Sequence, residues 1–173
     1  MSEVKINKSI NLSEHFTLGE VTKSKHAEIY NIPSHVAIEN LKKVCGWLEE
    51  LRRRYNLRYV CGKEERSVSP PNLGGEKDTE EPIIITSGYR SPELNRKVGG
   101  SPTSNHLTGC AVDIRVAGIE QAMRYAVILM DYADETKQDY DEILIERNRS
   151  GGYWLHFAVR PKDNRRKTMF VQT

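Results

Sequence analysis

Two residues in the run SNHLTGCAVDIRV, Ser104 to Val116, could share a metal ion: His106 and Asp113, with the Thr108-Gly109 turn between them. After the turn the side chains alternate. Val112, Ile114 and Val116 are apolar, whereas Ala111, Asp113 and Arg115 fall on the other face. That is a half-buried strand. Aspartate is depleted in strands, so this one needs a partner, and a divalent metal shared with His106 is one. A second alternating run, YWLHFAV from Tyr153 to Val159, puts Leu155, Phe157 and Val159 on one face. Trp154, His156 and Ala158 lie on its other face. In a third run, Ile143 and Ile145 oppose Leu144 and Glu146. If the three strands share a sheet, Asp113, His156 and Glu146 reach one face and His106 joins them from its loop. Two histidines and a carboxylate leave the fourth position open, as in a catalytic zinc site. A free glutamate beside them is the usual general base.

Four motifs occur in order: SGYRS at 87–91, NHLTGCAVD at 105–113, YDEILIE at 140–146 and WLHFAV at 154–159. In this the chain resembles the M15 zinc peptidases, which are D-Ala-D-Ala carboxypeptidases and peptidoglycan endopeptidases. They are related in fold to the amino-terminal domain of hedgehog proteins. The resemblance spans roughly Leu12 to Arg160, and SEHFTLGEVTKS is similar to the start of phage- and bacterium-encoded members. It implies zinc on His106, Asp113 and His156, and hydrolysis of a peptide bond in the peptidoglycan stem peptide. It also implies that Arg90 binds a carboxylate or carbonyl oxygen of the substrate, a task its planar fork suits. The bland alternative pairs Arg90 with a surface acid. Ser104, Tyr89 and Trp154 are expected to contact the substrate with Arg90. Many M15 enzymes carry an acidic base three residues before the last histidine ligand, where this chain has Tyr153. The hedgehog-like branch instead has a glutamate ending the preceding strand, which matches Glu146. Glu142 shares the parity of Glu146 and stays open as the alternative base. The rival functions are a zinc-binding recognition module without catalysis, and a structural domain whose histidines are only hydrogen-bonded.

Composition sets bounds on these readings. The chain has 173 residues, 29% of them charged, and a formal net charge of +2. One domain over 1–173 is expected. Nothing in the charge pattern calls for nucleic acid, no run is long enough to span a membrane, and a monomer is expected. Cys45, Cys61 and Cys110 follow no metal spacing and suggest no disulfide framework. Cys110 reads as a small buried residue. The first residues contain no apolar signal region, so synthesis in the cytosol is expected, with access to the wall only by lysis or another route. The basic run RPKDNRRK, Arg160 to Lys167, reads as a solvated end.

The elements needed to position the site are also legible. Residues 1–11 look loose, and Phe16 and Leu18 anchor a short element. Ser34 caps a helix whose buried face is Leu41, Val44, Leu48, Leu51 and Tyr55. His15, His26 and His35 read as surface or packing residues. Cys61 to Pro82 lacks periodicity and reads as an inserted surface loop. A strand is predicted over 82–86. A short helix follows, with Ser91 as N-cap and Pro92 at its first position. A later helix is predicted to bury Ile119, Ala122, Met123, Ala126, Leu129 and Met130, with 131–139 as a solvated connection. The strands around 143–146 and 154–159 form a hairpin. The class is α+β, a mostly antiparallel sheet with helices on one face.

Overall fold

The computed structural model describes residues 7–60 and 80–173. The expected looseness of residues 1–6, nearly all of the 61–82 insertion and Cys61 lie outside the described residues. Thr17 caps helix α1 (Leu18–Thr22) through a capping box with Glu20. Ser34 accepts from Ala37 N to start α2 (His35–Tyr55), which ends in one π turn, Asn56–Val60. Strand β1 (Ile85–Ser87) starts later than its apolar run. Helix α3 (Pro92–Lys97) opens on the Ser91 cap with proline in its first turn. A 3₁₀ turn (Asn105–Thr108) precedes β2 (Ala111–Arg115), and α4 covers Ile119–Thr136. Strands β3 (Glu142–Arg147), β4 (Tyr153–Ala158) and β5 (Lys167–Gln172) complete the chain.

The sheet order is β1-β2-β4-β3-β5. Pairs β1–β2, β2–β4 and β3–β4 are antiparallel, and β5 joins β3 in parallel. The sheet is therefore mixed, which corrects the expectation of a mostly antiparallel one. The reason lies in the tail read as a solvated end. Arg160 and Arg165 fold back onto the fully buried Asp141. The run that follows, KTMFVQ, is rich in strand formers and adds to the sheet edge.

The core lies on one face. Val112, Ile114, Ile143, Ile145, Leu155 and Phe157 point there, against Leu41, Val44, Leu48 and Leu51 of α2 and Ala122, Ala126 and Leu129 of α4. Trp47 packs on Phe157 at 5.4 Å and edge-on to Tyr132 at 4.8 Å. Two residues assigned to the buried face of α4 are exposed, Ile119 at 41% and Met123 at 50%. Tyr125, Ile128 and Ala133 are buried instead, so the apolar stripe is rotated. The larger Tyr125 ring takes the contact, edge-on against Tyr55. Residues 131–136, expected in a connection, extend the helix.

The amino-terminal third braces the Ser87–Ser91 turn. Tyr89 N donates to Val21 O at 2.7 Å. Asn31 Nδ2 donates to the carbonyls of Thr22 and Tyr89, and Asn31 Oδ1 accepts from Ser91 N at 2.7 Å. Gly88 is required here because a Cβ would stand 2.2 Å from Val21 O.

Candidate metal centre

The other face of the sheet carries the polar groups in rows set by strand register. Asp113 of β2, His156 of β4 and Leu144 of β3 lie side by side. One neighbouring row holds Arg115, Trp154 and Glu146; the other holds Ala111, Ala158 and Glu142. This face floors a cleft of about 660 Å³, rimmed by the Val98–Ser104 loop, Arg165 and Lys167.

His106 enters from the 3₁₀ turn. Ser104 caps that turn by accepting from His106 N. Gly109 closes it at φ 73, and a Cβ there would fall 2.4 Å from Ala37 O. Only glycine meets both demands. The ligating atoms of His106, Asp113 and His156 lie within 4.8 Å of one another, all three residues are buried, and the group could hold a metal ion.

The chemistry of the donor set fits a cation. His106 Nδ1 is 2.6 Å from Gly88 O. A carbonyl only accepts, so Nδ1 carries the proton. Burial, partly opposed by Asp113, holds the His106 pKa below its ordinary value, so the ring is neutral. Its Nε2 then presents a lone pair 3.3 Å from Asp113 Oδ1. Two acceptors face each other across that gap, and a positive ion between them turns repulsion into ligation. Asp113 Oδ1 also lies 2.9 Å from His156 Nδ1, which donates to it only while that nitrogen is protonated, and its Oδ2 accepts from Arg90 Nη2 at 2.6 Å. Burial would raise the Asp113 pKa, but His106 and His156 outweigh it and hold the carboxyl far below the usual range. Burial would lower His156, but the carboxylates of Asp113 and Glu142 outweigh it and raise its pKa.

Most of the residues singled out in the sequence meet here. Arg90, Ser104, His106, Asp113, Glu146, Trp154 and His156 all line the cleft. Tyr89 does not: its ring is in the hydrophobic core. Tyr153 sits on the core side of β4, with Arg147 over its ring, so the position three before His156 faces away from the cleft. Arg90 donates from Nε to Ser87 Oγ at 2.9 Å and from Nη2 to Asp113. It therefore orients the Asp113 carboxylate, and among the described residues its Nη1 makes no hydrogen bond. His15 and His26 pair with Glu49 and Glu28 outside the cleft. Burial raises the Cys110 thiol, which disfavours the thiolate.

The sequence reading missed Asn105, Arg165 and Lys167, and it treated Glu142 only as a competitor to Glu146. Asn105 adjoins His106 in sequence, and Lys167 lies in register with Glu142. The first was a visible signal. The second required knowing β5.

Among the described residues no helix is long and apolar enough to cross a membrane. A search of curated proteins found no relative that matches the chain. Residues 75–138 match the family model described as Peptidase M15. That span contains Arg90, His106 and Asp113. Glu146 and His156 lie beyond it and are joined to the set by the fold.

Proposed function

We propose that this M15-family peptidase is a zinc-dependent hydrolase of a peptide bond in the peptidoglycan stem peptide, as a D-Ala-D-Ala carboxypeptidase or an endopeptidase. The family match supports a metallopeptidase. The observation that carries the metal is the approach of two acceptors, His106 Nε2 and Asp113 Oδ1, at 3.3 Å in a buried site. His106, Asp113 and His156 would hold the ion. Zinc there supplies a Lewis acid that polarises a peptide carbonyl and acidifies a water.

The remaining work falls to the side chains around it. Glu146 is the proton shuttle: its carboxylate takes the proton of the attacking water and gives it to the leaving amine. Burial raises its pKa, which brings it nearer the range of a working base. Glu142 is less suited, because the His156 contact and nearby cations hold its pKa at about 2. Arg90 offers its free Nη1 to a carboxylate or carbonyl oxygen of the substrate. Trp154 and Ser104 wall the cleft beside it. The chain acts on the wall as a monomer.

The test is metal content with activity. Wild type purified without chelator should carry one zinc per chain by elemental analysis, and His156→Ala should carry almost none. Zinc-loaded wild type should release D-Ala or peptides from wall stem peptides. Equal zinc in both proteins refutes the ligand set, and zinc binding without any release of wall fragments refutes hydrolysis.

A further inference from the structure

Glu142 stands in a network that the proposed hydrolysis does not use. Its Oε2 lies 3.6 Å from His156 Nε2 and accepts from Asn105 Nδ2 at 3.1 Å. Its Oε1 faces Arg165 Nη2 at 3.0 Å and Lys167 Nζ at 3.3 Å. These anchors come from separate segments. Asn105 precedes His106, while Arg165 and Lys167 come from the run that enters β5. Arg165 is itself fixed by Asp141, through Nε at 2.9 Å and Nη2 at 2.7 Å. Asn105 Nδ2 also donates to Asp141 Oδ2 at 2.7 Å. The Glu142 carboxylate is thus tied on every side except the one facing His156.

That open side matters for a ligand histidine. A neutral imidazole has one protonated nitrogen and one lone pair, and the acceptor near one nitrogen decides which is which. His156 turns Nδ1 toward Asp113 and His106. For Nδ1 to ligate, the proton must sit on Nε2, and Glu142 Oε2 is the acceptor on that side. The separation is longer than a hydrogen bond, and a shift of roughly half an ångström would close it.

We propose that Glu142 is a positioning residue of the metal centre: it accepts a hydrogen bond from His156 Nε2–H, so that Nδ1 presents its lone pair to the ion. Asn105, Arg165 and Lys167 hold the carboxylate in place for this. The inference rests on the metal-ligand reading, and its test separates the two. The full chain is titrated with zinc against a chromogenic chelator as wild type, Glu142→Ala, Glu142→Gln, Lys167→Ala and His156→Ala. Nitrogen NMR of the zinc-loaded proteins reads the His156 tautomer.

Losing a carboxylate of this kind weakens metal binding by about 10- to 100-fold, and that is expected of Glu142→Ala. Its His156 Nε2–H signal should also broaden or vanish through exchange with water. Glu142→Gln keeps an acceptor oxygen and should bind more tightly than Glu142→Ala. Lys167→Ala, a change at an exposed residue, should weaken zinc by a few-fold, and it carries the test if Glu142→Ala does not fold. Wild-type affinity with an unchanged His156 signal in Glu142→Ala overturns the proposal, as does wild-type affinity in Lys167→Ala. Wild-type zinc affinity in His156→Ala overturns the ligand reading and the proposal with it.

Discussion

Glu142 and Glu146 sit on the same face of β3 and are placed symmetrically about His156. The first is registered with Ala158 and the second with Trp154, two residues to either side of that histidine. Strand geometry alone would make them equivalent. Their surroundings do not. Beside Glu142 runs Lys167, with Arg165 and Asn105 also on its carboxylate. Beside Glu146 runs Val171, and among the described residues its carboxylate makes no hydrogen bond or ion pair. His156 first, then Lys167 and Arg165, outweigh burial and hold Glu142 ionised with a pKa of about 2. The other is pushed upward by burial, against the pull of His156. Two carboxylates whose environments drive them apart are the mark of divided roles. The division starts at His156, whose Nε2 lies 3.6 Å from Glu142 Oε2, and Lys167 and Arg165 from the run that enters β5 add to it.

The largest effect that would break this comparison is on rate. Glu146→Gln should lower turnover of a stem-peptide substrate on the order of 10² to 10⁴-fold, with zinc content unchanged. A full-rate Glu146→Gln enzyme would remove the division of roles. The wild-type pH profile should add a sign. A base must be ionised, and the Glu146 pKa is raised. Activity should therefore fall on the acid side of the profile, and a profile with no acid limb contradicts the assignment.

Arg90 provides a smaller and more selective effect. Its charge reaches Glu146 and lowers that pKa, while its fork grips Asp113 and Ser87. Arg90→Lys keeps the charge and loses the fork. Turnover should drop roughly tenfold or more, as expected for a lost charge-assisted contact, with zinc retained and the acid limb of the profile in place. Unimpaired turnover would make Arg90 a structural residue.

The last effect is on stability rather than rate, at the Glu142 end only. Burial would raise the Asp141 carboxyl, but Arg165, Asn105 and Arg160 outweigh it and bring it to about 2. A depressed carboxylate stabilises the fold above its unfolded value near 4, and that contribution is lost as pH falls through about 2. Asp141→Asn should cost about 2 kcal/mol at neutral pH. The difference from wild type should close toward pH 2, as read by urea midpoints. Glu146→Gln, with no such partners, should unfold at the wild-type midpoint or above it. Equal losses from both substitutions would erase the contrast between the two ends of β3.

The site was legible in the sequence where period and turn chemistry carried it. Alternation around Asp113, His156 and the ILIE run assigned each side chain to the correct face, because one face of each strand is continuously apolar. Caps at Ser34 and Ser91 and the glycine turn at Gly109 are local signals with local causes. What was hidden depends on distant pairing. The sequence cannot show that Asp141 draws Arg160 and Arg165 inward, or that β5 aligns Lys167 with Glu142. Tyr89, expected to contact the substrate with Arg90, has its ring in the core. Ile119 and Met123 fit a helical stripe equally well, until Tyr125 claimed the contact.

Asn31 lies far along the chain from every candidate ligand, yet its one amide group serves three backbone groups in two stretches. It closes Thr22, Tyr89 and Ser91, and Arg90 is the residue between the last two. The guanidinium that steadies Asp113 is thus aimed by a backbone whose hydrogen bonds are completed from the amino-terminal third. Without that segment, Tyr89 N loses Val21 O and Ser91 N loses Asn31. Among the described residues, none of that segment lines the cleft. It acts as the abutment against which the arginine turn is set, so the support of the candidate metal site extends well past the side chains that would touch an ion.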